Sequence, residues 1–371
     1  MAKQVKKLDK YSDLQIILQN ELPINAARIK FIVLILTALL KVQNVNYQRL
    51  TEGFDNEVEL SSTLRRIQRF FATFDLCSDL VARLLYKLMP EEVFTNGKLE
   101  LTLDRTNWKF GSTNINILML AVIYKGVALP LLFTFLGDKR GNSDQKERIA
   151  LIERFIRLFG VQSIGFLTAD REFIGDDWWN FLISHNIRFF IRLRANMQVY
   201  IPGKGIVKAY WLFNYFGLNK SAAHPKIVQI GSNWVYLSGL KFINNKGKIE
   251  FLIVASFTQI DNQIALKMYR KRWQIETMFK AFKTGGFNLE NTHLTDYQRL
   301  NKLLLITAIA FIWAYKVGIY RHKNIKKIDV KKHGRPAQSL FSYGLEFLAQ
   351  ALINGFQKKI LLASVIFLSC T

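Results

Sequence analysis

Residues 115–136 read INILMLAVIYKGVALPLLFTFL. A run this apolar either crosses a membrane as one helix of about 20 residues or is buried as sheet. Lys125-Gly126 breaks it in the middle and Pro130 breaks it again. Neither interruption suits a spanning helix, and Lys-Gly suits a turn between two buried strands. The chain is therefore expected to build a sheet with both faces covered. FIVLILTALL (31–40) and LLLITAIAFIWAY (303–315) are shorter than a span requires. No membrane partner is expected.

The flanking stretches extend this sheet. In KLELTLDRTNW (98–108), Leu99, Leu101 and Leu103 alternate with Glu100, Thr102 and Asp104, the period of a strand. GNSDQKERIALIERFIRLFG (141–160) has helical periodicity, with Asn142 or Ser143 as cap and Gly160 as stop. SIGFLTAD (163–170) is a further buried strand. The order strand, strand, strand, helix, strand predicts a crossover, which sets the last strand parallel to an earlier one.

Residues 1–95 read as helices, in ARIKFIVLILTALLKV, SSTLRRIQRFFATF and SDLVARLLYKLMP. Ser61-Ser62 is the expected cap of the second. There Leu64, Ile67, Phe70 and Phe71 form a stripe, and Arg65, Arg66 and Arg69 lie off it. A helical bundle with an exposed arginine row suits DNA, although each arginine also fits an ordinary solvated face. From 174 the texture becomes β-rich: IRFFIRLR, WVYLSGLKFIN and KIEFLIVASF, with turns at PGKG and NNKG. A long helix is expected over 261–284. Helices near 303–320 and 338–357 follow, joined by the basic YRHKNIKKIDVKKHGRP. The expected division is 1–95, 96–173, 174–260, 261–345 and 346–371.

Lys and Arg number 52 against 28 Asp and Glu, a net charge of +24 spread along the whole chain. Such an excess calls for a polyanionic partner, and nucleic acid is the natural one. A ribosome-associated or merely basic soluble protein is the plainer alternative. Half the residues are hydrophobic, enough for a large core. Cys77 and Cys370 are the only cysteines, so no zinc cluster or disulfide framework is expected, in keeping with a reducing cytoplasm. The N-terminus MAKQVKKLDKYSDLQ lacks the apolar run of a secretory signal.

Against this charge, YRKRWQIETMFKAFKTGG (269–286) sets one acid, Glu276, among five cations. At about 100° per residue, Tyr269, Arg272, Glu276, Lys280 and Lys283 fall on one helix face. Ile264, Ile275, Met278 and Phe282 fall on roughly the opposite side. Cations suit a phosphate polymer; the acid would repel it. A hard divalent ion resolves the conflict, since Mg²⁺ takes carboxylate, water and phosphate oxygens together. Two such ions need further carboxylates. Asp104 and Asp170 each follow an apolar run, where an acid is costly unless it meets solvent or a ligand. The plainer readings are an Asx turn at Asp104, an Asp170–Arg171 pair, and an i,i+4 pair of Glu276 with Arg272 or Lys280.

Taken together, these stretches resemble the bacterial insertion-sequence DDE transposases of the YREK class. Their Tyr, Arg, Glu and Lys spacing falls on Tyr269, Arg272, Glu276 and Lys283 without departure. LTLDRTNWKFG (101–111) resembles the first acidic motif, LTADREFIG (167–175) the second, and FNLENTHLTD (287–296) the segment after the helix. The resemblance implies an α/β fold: a ribonuclease-H-like mixed sheet with flanking helices, interrupted by a β-rich insertion and preceded by a helical DNA-binding domain. It implies that Asp104, Asp170 and Glu276 hold two Mg²⁺ ions, with Mn²⁺ as substitute. Tyr269, Arg272 and Lys283 would then contact phosphates of the transposon ends. Several members of the class release the second strand through a hairpin.

Lys280, Arg171 and Arg105 join the candidate DNA contacts. Arg105, Arg171 and Asn107 are placed either to reach phosphate or to brace the neighbouring carboxylate. Trp178 and Trp179 either stack on a displaced base or pack in the core. His293 is expected to make a structural hydrogen bond. The implied partners are double-stranded DNA, as transposon ends and target, and a second copy of the chain in the synaptic complex. The implied setting is the bacterial cytoplasm at the nucleoid. The alternatives are a catalytically inactive DNA-binding derivative and a metal-dependent nuclease of the same fold.

Overall fold

The structure is a computed structural model that describes residues 11–55, 58–137, 141–332 and 334–353. Cys370 and the expected C-terminal stretch beyond Ile353 lie outside these residues. The described chain divides into two compact units: Glu91–Met278, and the residues up to Pro90 together with those from Phe279 onward.

The helical unit begins with α1 (Ser12–Glu21), α2 (Ala26–Val42), α3 (Tyr47–Glu52), α4 (Leu60–Thr73) and α5 (Ser78–Leu88). In α4, Ile67, Phe70 and Phe71 are buried and Arg65, Arg66 and Arg69 are exposed, as the periodicity predicts. The expected Ser61-Ser62 cap is not used. The helix opens at Leu60, because Thr63 N–H already donates to the Glu59 carbonyl at 3.0 Å.

The second unit is built on β1 (Leu99–Phe110), β2 (Thr113–Tyr124) and β3 (Val127–Phe135), paired antiparallel in sequence. Lys125 and Gly126 adopt φ of 42° and 89°, the left-handed pair that a tight hairpin needs. Pro130 sits on β3, at the edge of the sheet and beside a register shift, where a missing N–H is tolerated. Next comes α6 (Gln145–Phe159). Its cap is Asp144, not the expected Asn142 or Ser143. Asp144 accepts from Glu147 N–H and Glu147 accepts from Asp144 N–H, each at 2.8 Å, a reciprocal box that neither neighbour is spaced to form. Gly160, at φ 79°, ends the helix.

Then β4 (Ile164–Ala169) runs parallel to β1, α7 (Asp176–Ser184) crosses over, and β5 (Phe189–Leu193) runs parallel to β4. The order β3-β2-β1-β4-β5, with only the last three parallel, is the expected ribonuclease-H-like sheet. A helix and a sheet strand thus come first in the stretch expected to be β-rich from 174. The remaining strands are β6 (Gln198–Ile201), β7 (Gly205–Lys208), β8 (Ser221–Ala223), β9 (Val228–Ile230), β10 (Asn233–Ile243) and β11 (Ile249–Ser256). Because β11 pairs antiparallel with β5, the insertion continues the same sheet as β5-β11-β10-β9-β6-β7, with β8 beside β10.

The chain returns through α8 (Asn262–Arg270), a 3₁₀ turn at Lys271–Trp273, and α9 (Gln274–Lys283). The single helix expected over 261–284 is therefore interrupted, and the interruption falls at Arg272. The helical unit is completed by α10 (Tyr297–Asn324) and α11 (Leu340–Ile353). α10 is long and apolar enough to cross a membrane, yet it lies buried among α2, α5 and α11. It meets α11 at a close crossing. A Cβ on Gly318 would stand 1.9 Å from the Leu340 carbonyl oxygen, and one on Gly344 1.8 Å from that of Ala314.

Candidate catalytic site

Strand register brings the first two acids together. Leu103 pairs with Ala169 at the last rung of the β1–β4 ladder, so Asp104 and Asp170 stand side by side just beyond it. The strand does not stop at Asp104. Instead β1 runs on to Phe110 on its other edge, paired with β2, and Asp104 marks only where the parallel ladder stops. Behind it, Leu99, Leu101 and Leu103 are fully buried.

The third acid arrives from the helix. Arg272 Nη1 donates to Asp104 Oδ2 at 2.6 Å, and its Nη2 donates to Glu276 Oε1 at 2.8 Å. Tyr269 donates its hydroxyl to Asp170 Oδ1 at 3.0 Å. The sequence-expected face is thus corrected. Tyr269 and Arg272 are only 6% and 7% exposed and grip the acids, whereas Ile264, expected on the buried side, is 44% exposed. Ile275, Met278 and Phe282 are buried as expected. The two halves bury different faces: Ala265, Leu266 and Tyr269 before the turn, Ile275, Met278 and Phe282 after it. Sheet packing also holds Tyr269, which belongs to one buried apolar cluster with Phe166, Phe190 and Val254.

Burial pushes the Asp104 carboxyl up to about 6, against the pull of Arg272 and of the Arg105 N–H that donates to Oδ1 at 2.8 Å. The negative charges of Glu172 and Asp170 push it the same way. The same burial raises Tyr269 to about 12, keeping its hydroxyl a donor at neutral pH. Burial alone would lower the Arg272 guanidinium, but Tyr269 and the surrounding acids outweigh it and hold the group above its ordinary value.

Of the other candidates, Arg105 braces rather than reaches. It pairs with Glu172 at 3.4 Å and donates to Asn116 at 3.2 Å. Arg171 is exposed and, with Glu172, Arg194 and Asn196, lines a cleft of about 810 Å³. Asn107 is exposed on β1. Lys280 is exposed on α9, and Lys283 pairs with Glu290 at 2.9 Å. Trp178 and Trp179, 0% and 1% exposed, are core residues and offer no stacking face. His293 closes a 3₁₀ turn in the left-handed region and lines a second cleft, with Asn46 and Arg49.

Sequence reasoning missed Arg192. It stands on β5 one rung beyond the β4–β5 ladder, level with Asp170 and 4.0 Å from Oδ1. The signal was IRFFIRLR itself, once its strand is aligned in parallel with SIGFLTAD.

The donor set is three carboxylates, which is the oxygen chemistry a hard divalent ion takes. The upward push on Asp104 from Asp170 shows that two of these acids feel one another. Among the described residues, no three acidic, His or Cys side chains are grouped closely enough to hold an ion as they stand. Arg272 lies between Asp104 and Glu276 instead.

A family model described as the transposase DDE domain matches residues 98–313. Among solved structures, the chain is similar to piggyBac transposase in a synaptic complex with hairpin DNA, determined by cryo-electron microscopy. The identity is 15%, the match covers 91% of this chain and 73% of that one, and the TM-score is 0.43. No curated protein sequence matches the chain.

Proposed function

The chain belongs to the transposase DDE domain family, and from that premise we propose that it moves a bacterial insertion sequence of the YREK class. It cuts DNA at the terminal inverted repeats of its own element and joins the freed 3′-hydroxyl ends to target DNA. The observation that carries this reading is the convergence of Asp104, Asp170 and Glu276, from three distant parts of the chain, on one cluster bound to Tyr269 and Arg272.

Two displacements at phosphorus make up the reaction. In the first, a water oxygen attacks the phosphodiester at the element's end, and the 3′-oxygen leaves and takes up a proton. In the second, that hydroxyl gives up its proton and attacks a target phosphodiester, whose own 3′-oxygen leaves. Two Mg²⁺ ions held by Asp104, Asp170 and Glu276, or Mn²⁺ in their place, would supply charge neutralisation at the attacking and leaving oxygens. The chain's own contribution is placement. β1 and β4 set two acids side by side on neighbouring strands, the Tyr269 hydroxyl orients Asp170, and the Arg105–Glu172 pair holds the strand beside them. Arg171, Lys280 and Lys283 supply charge for the phosphate backbone, which positions DNA without reading its bases. Two ends held in one complex call for two protomers in the synaptic state.

The test is cleavage of DNA carrying the inverted repeats that flank the coding sequence. Asp104→Ala, Asp170→Ala and Glu276→Ala are each expected to abolish divalent-ion-dependent cleavage while DNA binding persists. Full activity in any of the three would sink the assignment. Cleavage without joining by the parent protein would favour a nuclease.

A further inference from the structure

An octahedral Mg²⁺ takes its oxygens at about 2.0–2.1 Å, which brings neighbouring oxygens to roughly 3 Å from each other. Between Asp104 and Glu276 stands the Arg272 guanidinium, with a hydrogen bond to each. Arg272 is also poorly served where it stands. Its side chain is 8% exposed, and Nε is buried with no hydrogen-bond partner. A phosphate would offer the same guanidinium a bidentate contact. The residue sits on the 3₁₀ turn between α8 and α9, and such turns inside helices serve as hinges.

We propose that Arg272 is a latch: in the free protein it takes the cation's place between Asp104 and Glu276, and a DNA phosphate draws it out. The identity of the two ligands rests on the transposase reading. Once Arg272 leaves, the acids have lost a positive charge, and a divalent cation is the group that restores it. DNA and cation then strengthen each other's binding by the same factor, since linkage is reciprocal. The free protein is guarded against ion loading, and so against cutting, until DNA is in place.

Mn²⁺ binding, followed by titration calorimetry on the full chain with and without a DNA duplex, tests this. Without DNA, Arg272→Gln is expected to bind Mn²⁺ at least tenfold more tightly than the parent. Arg272→Lys, which reaches one carboxylate only, is expected to fall between them. Adding Asp104→Asn to Arg272→Gln should remove the gain and so place the ion at this site. The duplex should tighten Mn²⁺ binding to the parent and leave Arg272→Gln unchanged. If neither Arg272 variant binds Mn²⁺ more tightly than the parent, the latch is overturned. Circular dichroism establishes that each variant is folded, and Arg272→Lys carries the comparison if Arg272→Gln is not. None of these measurements requires cleavage. A failed latch leaves the transposase reading standing, and retained cleavage in Asp104→Ala defeats that reading whatever the titration gives.

Discussion

Asp104 carries its charge under protest, and that has a measurable sign. Its carboxyl sits at about 6 in the folded protein, against roughly 3.9 in an unfolded chain. A raised carboxyl binds its proton more tightly when folded, so ionised Asp104 opposes folding above about pH 6 and ceases to do so below about pH 4. Relative to the parent, Asp104→Asn should therefore be more stable at pH 7 than at pH 4, by on the order of 2–3 kcal/mol. Urea unfolding at both pH values checks it, and a pH-independent difference would contradict it. Tyr269→Phe keeps the ring in its apolar cluster and removes one hydrogen bond to a charged group, so a loss of about 1.5–3 kcal/mol is expected at pH 7. Asp104 and Asp170 were legible because an acid directly after an apolar run breaks the local pattern. Arg192 was not legible, since nothing separates it from Arg188 and Arg194 until β5 is registered against β4. Arg272 was seen but set on the wrong side, facing solvent instead of filling the space between two acids.

At the level of elements, the hairpin β2–β3 and the α6 crossover could be read directly from Lys-Gly, Pro130 and Gly160, because turn chemistry is local. The break between α8 and α9 could not. Residues 261–284 contain no proline or glycine, and Lys271 and Gln274 keep helical angles, with ψ of −22° and −25°. The difference from an α-helix is about 20° in ψ per residue, decided by what the helix touches. The α10–α11 crossing is set by two residues with no side chain. Gly318→Ala and Gly344→Ala each drive a methyl into backbone of the opposite helix and should lower stability by about 1–3 kcal/mol or more. Thermal unfolding reads this, and an unchanged midpoint for both would mean that the helices separate freely.

Over the whole molecule, the net charge of +24 predicts DNA binding that weakens steeply with salt. If Lys280 touches a phosphate, Lys280→Ala lowers the slope of log K against log salt by about 0.9. An identical slope would remove it from the contact surface. The division into units has a further consequence, in time rather than space. Glu91–Met278 is one unbroken stretch of chain, whereas the helical unit is assembled from both ends of the sequence. A ribosome makes α2 early and α10 late. Until α10 and α11 emerge, the apolar face of α2, with Ile32, Ile35, Leu36 and Leu39, lacks the helices that finally cover it. The sheet unit is complete well before then. Synthesis thus leaves the first helices waiting, and a chain released prematurely would display the surface most prone to aggregate.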